Sequence, residues 1–283
     1  MKVINQTLLE KVIVERSRHS HKGDYGRLLL LGGTYPYGGA IIMSAIAAVK
    51  SGAGLVTVGT DKENIPALHS HLPEAMAFSL QDQQLLKEHL EKAEVVLLGP
   101  GLRDDTFGEE LVKQVFASLR QNQILIVDGG ALTILARISL SFPSSQLILT
   151  PHQKKWEKLS GITIEKQNEG TTASALTFFP QGTILVEKGS AARIWQAGQS
   201  DCYQLQVGGP YQATGGMGDT LAGMIAGFAG QFHQASLYER VVVATHLHSA
   251  IAQELAQENY LVLPTEISKL LPKTMKKISQ KGS

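Results

Sequence analysis

Short apolar runs alternate with longer amphipathic stretches along almost the whole chain, and this alternation limits the fold more than any other feature. Each apolar run ends in Gly, Pro, Asp or Thr, as expected where a buried parallel strand enters a loop. The predicted strands are 28–31, 55–58, 95–98, 124–127, 147–149 and 184–186. The predicted helices lie near 39–51, 83–91, 107–120, 130–137, 171–179, 218–230, 236–257 and 265–278. This order predicts an α/β fold with a mostly parallel sheet covered by helices on both faces.

The domain organisation follows from length and from the absence of linker-like sequence. The chain has 283 residues and contains no low-complexity tract or repeat, which predicts one domain over 1–283. Residues 1–20 are expected to form an N-terminal extension or helix, and 273–283 a flexible tail. The segment 192–207 is expected to form a late antiparallel hairpin.

Composition narrows the class of partner. The formal net charge is +1 and 43% of residues are hydrophobic, which argues against a nucleic-acid partner because phosphate binding usually leaves a basic excess. No apolar run reaches the roughly 18–20 residues that span a bilayer, so no membrane partner is expected. The single cysteine, Cys202, fits a reducing compartment. We expect a cytoplasmic protein.

The strongest local motif is a glycine-rich run, residues 213–219, that leads into an apolar helix. Glycines allow the backbone to approach a ligand closely, and a helix N-terminus offers free N–H groups to phosphate oxygens. Asp219 could accept a proton from a substrate hydroxyl beside that phosphate. The alternative is an ordinary helix cap, since Asp is favoured there, but the longer glycine-rich run before the helix favours the functional role.

Three further clusters follow predicted strands, where ligands bind in parallel α/β sheets. Gly99-Pro100-Gly101-Leu102 reads as a tight turn, His152 follows Thr150-Pro151, and Lys188 precedes Gly189. Lys188 could meet a phosphate or be a surface lysine, and His152 could be structural or a ligand. The glycines after strand 28–31 lack dinucleotide-fold spacing, and no stretch matches the P-loop pattern.

Taken in order, these clusters resemble the ADP-dependent NAD(P)H-hydrate dehydratases. The opening block is 21–27, followed by Gly38-Gly39-Ala40, the block 47–56 and the strand-end motifs above. The last block is 213–219, and the resemblance covers about residues 20–272. It implies a ribokinase-like three-layer α/β/α fold. It also implies repair of hydrated NADH or NADPH (NADHX or NADPHX) at the expense of an adenine nucleotide, usually ADP, which leaves AMP.

The resemblance also implies site residues. Ala40, Gly101, His152 and Asp219 would contact the hydrated dinucleotide, with Asp219 as the catalytic residue. The residues that would contact the adenylate are Lys188, Gly189, Ser190, Ala191, Ala192 and Gly218. Family members usually use Mg²⁺ and form homotetramers. A separate NAD(P)H-hydrate epimerase is the expected pathway companion.

Three positions depart from the family pattern. Gly130 stands where the family commonly has a second carboxylate, Lys154 and Lys155 stand in a segment where it often has Gly-Glu, and Met217 replaces a frequent Thr. A glutamate at position 155 is linked to magnesium, so Lys155 puts metal handling in doubt. The metal ligands stay unassigned.

Two other functions share part of this pattern. A small-molecule kinase of the same superfold, acting on a vitamin precursor, would use the same Gly-x-Gly-Asp logic but lack the block 21–27. An adenylate-binding protein that has lost turnover would explain Lys154 and Lys155. A kinase would yield a stable phosphorylated product, whereas the binding protein would bind AMP or ADP without restoring NADH.

Overall fold

The predicted alternation of strands and helices is present in the structure, a computed structural model that describes residues 1–281. The strands are β1 (Arg27–Leu31), β2 (Leu55–Thr60), β3 (Met76–Ser79), β4 (Val95–Leu98), β5 (Ile124–Val127), β6 (Gln146–Leu149), β7 (Ile184–Glu187), β8 (Arg193–Gln196) and β9 (Tyr203–Gln204). The helices are α1 (Gln6–Val12), α2 (Gly38–Lys50), α3 (Ile65–His71), α4 (Gln83–Lys92), α5 (Thr106–Ser118), α6 (Gly129–Leu135), α7 (Gln153–Ser160), α8 (Glu169–Leu176), α9 (Met217–Ala229), α10 (Leu237–Leu255) and α11 (Pro264–Ser279). Every strand and helix predicted from the apolar pattern is confirmed to within a few residues.

The strands form one nine-stranded sheet in the order β3-β2-β1-β4-β5-β6-β7-β8-β9. Strands β1 to β7 pair in parallel, whereas β8 and β9 are antiparallel to their neighbours. The hairpin predicted over 192–207 is therefore confirmed. Strand order reverses at β1, which lies between β2 and β4, and such a switch point is where parallel α/β sheets bind ligands.

Two cores cover the two faces of the sheet, as the buried parallel strands require. Along β1, Leu28 and Leu30 face helices α2, α9 and α10. Leu29 and Leu31 face the opposite core, which α4 to α8 complete. Alternate side chains of a strand point to opposite faces, so an all-apolar strand must be covered on both sides. The three-layer α/β/α arrangement is confirmed, and one domain over 1–283 stays a prediction.

The apolar pattern missed three elements and misjudged a fourth. Strand β3 lies at the sheet edge with Met76 exposed, so its sequence lacks a continuous apolar run. Helices α3 and α7 were also missed. Of the residues of α7, Trp156 alone is buried, so its apolar pattern is weak. The tail predicted for 273–283 was wrong as far as Ser279, because α11 continues to that residue and buries Ile278. Residues 282–283 lie outside the described residues.

The N-terminal segment is a helix packed on the core. Asn5 Oδ1 accepts a hydrogen bond from Leu8 N at 3.0 Å and so caps α1. Leu8, Leu9 and Val12 are buried in the core that α10 also joins. Of the two readings offered for residues 1–20, the helix is correct for Gln6–Val12.

Helix α10 holds the end of α9 in place. The Arg240 guanidinium donates to Ala229 O at 2.6 Å and to Gln231 O at 3.0 Å, which satisfies carbonyls left free where α9 ends. At 19 residues α10 is long, but it carries Glu239, Arg240 and Glu254. Within residues 1–281, none of the helices combines the length and apolar character needed to cross a membrane.

Helices α2 and α9 approach so closely that only glycine fits at one contact. A Cβ at Gly223 would lie 2.1 Å from Ser44 O of α2, far inside any real contact. Ser44 Oγ also donates to Asp219 O at 2.8 Å. The position of the first turn of α9 therefore depends on this contact.

We predict that Gly223→Ala destabilises the protein. The added methyl group must push α9 away from α2, and such overpacking typically costs ~1–3 kcal/mol. The measurement is the free energy of unfolding by denaturant, supported by a thermal melt.

Gly170→Ala is the matched control, because a Cβ there would have Asn168 Oδ1 at 3.5 Å as its nearest neighbour. In a helix this exchange should be neutral or stabilising, since Ala is the better helix former by about 1 kcal/mol. Equal unfolding free energies for Gly223→Ala and wild type would contradict the prediction.

Candidate active site

Three polar side chains follow neighbouring strands at one edge of the sheet. Asp128 follows β5, Thr150 follows β6, and Lys188 follows β7. The pairing of β6 with β7 extends one step further, since Lys188 N donates to Pro151 O at 2.9 Å. The carboxyl ends of parallel strands meet at the same edge, so these residues converge.

The centre of this edge is a buried ion pair. Lys188 Nζ lies 2.6 Å from Asp128 Oδ1, and Thr150 Oγ1 donates to the same oxygen at 2.6 Å. Asp128 is only 2% exposed. Burial alone would raise the pKa of Asp128, but the charge and hydrogen bond of Lys188, together with Thr150, lower it below its usual value. Asp128 is therefore an ionised carboxylate inside the protein.

Asp219 lies beside this pair in the first turn of α9. Gly216, the N-cap residue, has a φ of 92°, which glycine adopts without strain. A Cβ at Gly218 would lie 3.1 Å from Lys188 Nζ, so the ammonium group sits over the start of the helix. Burial first, and then the negative charge of Asp128, raise the pKa of Asp219 to about 6, although Lys188 and Lys155 oppose the shift. A carboxyl group of that pKa can accept a proton near neutral pH.

A second ammonium group enters from the first turn of α7. Lys155 Nζ donates a hydrogen bond to Gly129 O, next to Asp128. Burial lowers the pKa of Lys155, while Asp128 attracts its charge and Lys188 repels it. The site thus combines two ammonium groups with two carboxyl groups.

His152 lies at the rim of this cluster, as the N-cap residue of α7. Desolvation, followed by the charges of Lys155 and Lys188, lowers the pKa of His152. The imidazole is therefore neutral at pH 7. A neutral ring offers one donor and one acceptor to a ligand.

Ala40 and Gly101, both predicted to contact substrate, lie against each other at the switch point. Gly101 has a φ of 65°, and a Cβ there would lie 3.1 Å from Ala40 Cβ and 2.3 Å from Tyr37 O. Thr34 Oγ1 donates to Gly101 O at 3.1 Å and accepts from Arg103 N at 2.8 Å. The loops after β1 and β4 are thus joined into one wall.

A cavity of about 470 Å³ opens on the other side of Lys188. Of the residues predicted to contact the adenylate, those that line it are Lys188, Gly189, Ser190, Ala192 and Gly218. Ala191 is not among the described residues that form its wall. Leu205, Val207 and Leu221 add apolar surface, so the cavity suits a flat ring at one end and an anion at the Lys188 end.

The sequence reasoning missed several residues that the structure brings to this site. Asp128 is the carboxylate of the ion pair, Thr150 donates to it, and Lys155 is bonded to Gly129 beside it. Buried His248 lines the cavity, with its pKa lowered to about 4 by burial and by Lys188. Asp128 and Thr150 could have been found, since they follow strands like the residues that were chosen. His248 could not, because helix packing brings it in, and position 155 was noted only for its link to magnesium.

The structure shows what surrounds each position that departs from the family pattern. A Cβ at Gly130 would lie 1.8 Å from Leu102 O, so a carboxylate cannot occupy this position without moving the Gly99–Leu102 turn. Met217 lines the cavity. Lys154 pairs with Glu157 at the surface, and Glu157 Oε1 also accepts from Ile164 N at 3.3 Å, so this glutamate does not replace a carboxylate at position 155.

Comparisons with known proteins point to one family. Residues 28–273 match the family profile described as NAD(P)H-hydrate dehydratase. A Streptococcus pneumoniae protein named ADP-dependent (S)-NAD(P)H-hydrate dehydratase is 88% identical, over 99% of this chain and 97% of its own length. A Bacillus subtilis ADP/ATP-dependent NAD(P)H-hydrate dehydratase, co-crystallised with ATP/Mg²⁺, superposes with a TM-score of 0.82 at 28% identity, over 97% of both chains.

The comparisons also bear on fold class and on the kinase alternative. An Enterococcus faecalis ribokinase-like superfamily protein superposes with a TM-score of 0.92 at 41% identity, covering 99% of this chain and 96% of its own. The ribokinase-like fold is thereby confirmed. A hydroxyethylthiazole kinase from Pyrococcus horikoshii reaches a TM-score of 0.61 at 15% identity, over 97% of this chain and 94% of its own, which shows a shared fold and not a shared activity.

We predict that Asp219→Asn raises the melting temperature at pH 7 and above. A carboxyl pKa of about 6 in the folded protein, against about 3.9 in the unfolded chain, means that ionised Asp219 opposes folding. This penalty is complete above pH 6 and disappears as pH falls through 6 towards 4. The neutral amide has no such penalty, so thermal melts should show a gain at pH 7–8 that shrinks near pH 4.

Asp82→Asn is the control, because Asp82 is an exposed helix N-cap whose Oδ1 accepts from Leu85 N at 3.0 Å. Asn caps equally well, so this variant should show no such pH-dependent gain. If Asp219→Asn has the same melting temperature as wild type at every pH, the pKa of Asp219 is not raised as described above.

Proposed function

Because the chain belongs to the NAD(P)H-hydrate dehydratase family, we propose that it restores NADH and NADPH from NADHX and NADPHX with ADP as the second substrate. The observation that carries this proposal is the position of Asp219. Its carboxyl group, with a pKa of about 6, follows directly after Gly218 at the end of the cavity where Lys188 lies. An acceptor for a hydroxyl proton therefore lies next to a site suited to a phosphate.

The reaction balances with one phosphoryl transfer and one elimination. Asp219 takes the proton of the C6 hydroxyl, whose oxygen attacks the terminal phosphorus of ADP, and the bond to AMP breaks. The C6–O bond then breaks as the ring nitrogen donates its electron pair, releasing phosphate. Loss of a proton from C5 restores the ring double bond. The products are NADH or NADPH, AMP and phosphate.

The chain's own groups have distinct parts in this scheme. The N–H groups around Gly216 to Gly218 and the Lys188 ammonium stabilise charge on the transferred phosphoryl group. The cavity lined by Gly189, Ser190 and Ala192 holds the adenylate. Ala40, Gly101 and His152 form the wall for the hydrated dinucleotide. Ala191 lies in the chain between Ser190 and Ala192, which line the cavity. We propose that it contacts the adenylate through its backbone.

Magnesium, expected from the resemblance, does not fit the groups around Asp128. Mg²⁺ prefers oxygen ligands, but Asp128 Oδ1 already accepts from Lys188 and Thr150, and the ammonium of Lys155 lies beside Gly129. No step of the scheme is therefore assigned to the metal.

The proposal extends to the protein's surroundings. A cytoplasmic homotetramer is proposed, on resemblance and on the expectation of a reducing compartment, and light scattering after size exclusion would measure the oligomer. The S. pneumoniae relative is named for the S form of the hydrate. An epimerase that converts the R form is therefore the proposed companion.

We predict that purified protein with NADHX and ADP restores the absorbance of NADH, and that ADP supports more turnover than ATP at the same concentration. The ADP preference rests on the family. A stable phosphorylated product would instead support the kinase alternative. Nucleotide binding without recovered absorbance would support the binding-protein alternative.

We predict that Asp219→Asn abolishes this turnover while the protein stays folded. Loss of a general base typically costs ~10²–10⁴-fold in rate, and a neutral amide cannot take the hydroxyl proton. The wild-type rate should fall as pH drops below about 6, because Asp219 becomes protonated. The measurements are kcat on NADHX across pH and a thermal melt.

Asp82→Asn again serves as control and should keep the wild-type rate, since it exchanges the same groups at an ordinary helix cap. If Asp219→Asn turns over within about threefold of wild type, well inside the general-base range, then Asp219 is only a helix cap.

A further inference from the structure

The ammonium group of Lys155 is bonded to a carbonyl oxygen rather than to a carboxylate, although the charges of Asp128 and Asp219 attract it. Its ammonium donates to the carbonyl of Gly129, and within residues 1–281 it belongs to no salt bridge, unlike Lys188 with Asp128. A half-buried charge bonded to a carbonyl costs free energy, because burial removes the water that would solvate it. An anion arriving at the site would recover that cost.

The surroundings of Lys155 show which anion would fit. Its ammonium is bonded to the carbonyl of Gly129, the residue after Asp128. Lys188, the partner of Asp128, lies over Gly218 at the start of α9. Lys155 therefore lies at the same strand ends as the proposed phosphoryl site, and its pKa responds to the charges of Asp128, Lys188 and Asp219. Lys188 is already balanced by Asp128 at 2.6 Å. A terminal phosphate between Asp219 and Lys188 would therefore find in Lys155 an ammonium group that, within residues 1–281, has no carboxylate at salt-bridge distance.

We propose that Lys155 binds the terminal phosphate of the nucleoside diphosphate and supplies the positive charge that a divalent cation supplies in most phosphoryl transfers. This inference rests on the proposed function and names a catalytic residue for it. Lys155 keeps its proton and forms no covalent bond, while its N–H groups hold the oxygens of the phosphorus that passes from ADP to the C6 hydroxyl. ADP binding by this chain is then largely independent of magnesium.

The first experiment is calorimetric titration of ADP and AMP with a chelator present, into wild type, Lys155→Gln and Lys154→Gln. Lys155→Gln should weaken ADP binding about ten- to a hundredfold, the worth of a charge-assisted hydrogen bond, and leave AMP binding intact. AMP lacks the terminal phosphate, so its binding also shows that the variant is folded. Lys154→Gln, whose ammonium pairs with Glu157 at the surface, should change neither affinity.

The second experiment adds magnesium. Wild-type affinity for ADP should change by less than about threefold, which corresponds to roughly half of the 1.4 kcal/mol that a tenfold change represents. Lys155→Glu, which introduces a carboxylate ligand, should bind ADP weakly in chelator and regain affinity with Mg²⁺.

Two results would overturn the inference: wild-type ADP affinity that rises tenfold or more with Mg²⁺, or Lys155→Gln that binds ADP as tightly as wild type. Both leave the proposed function standing if NADHX is still dehydrated. Conversely, the expected binding pattern without any dehydration would overturn the proposed function and keep Lys155 as the phosphate ligand. A wild-type protein that binds no ADP would overturn both.

Discussion

The buried ion pair between Lys188 and Asp128 is the interaction on which the rest of the site depends. It joins the ends of β5 and β7, and Thr150 at the end of β6 donates to the same carboxylate oxygen. Removing one partner of a buried pair typically costs ~3–5 kcal/mol, because the other charge is left without compensation. The ion pair and the Thr150 hydrogen bond thus link three neighbouring strand ends beyond the backbone pairing and apolar packing of the strands.

The same pair determines the chemistry of Asp219. The fixed negative charge of Asp128 adds to burial in raising the pKa of Asp219, while Lys188 limits the increase. Without Lys188, only the hydrogen bonds from Thr150 and the Gly129 backbone would oppose the effect of burial, which raises the pKa of Asp128. An ionised Asp219 therefore carries a stability cost, and groups with strongly shifted pKa values are common at functional sites.

Close packing of small residues brings this carboxyl group to the strand ends. Gly223 of α9 lies against Ser44 of α2, and Ser44 Oγ bonds to the carbonyl of Asp219. Helix α2 also carries Ala40, on the wall proposed for the dinucleotide. One helix contact thus sets the separation between the proposed proton acceptor and the wall that would hold the hydroxyl.

The sequence by itself determined the α/β class, every parallel strand with an apolar run, the ordered motifs of the family and Asp219 as the candidate base. It could do so because strands buried on both faces must be apolar, and because a glycine-rich turn before a helix is typical of an anion-binding site. Edge strand β3 and helix α7 escaped notice, since an element with one buried residue carries little pattern. Only the tertiary structure decided that the Lys155 ammonium bonds to Gly129 beside the ion pair, that His248 lines the cavity and that Gly130 leaves no room for a side chain. Those facts depend on contacts between residues far apart in the chain, which no local pattern of residue types records.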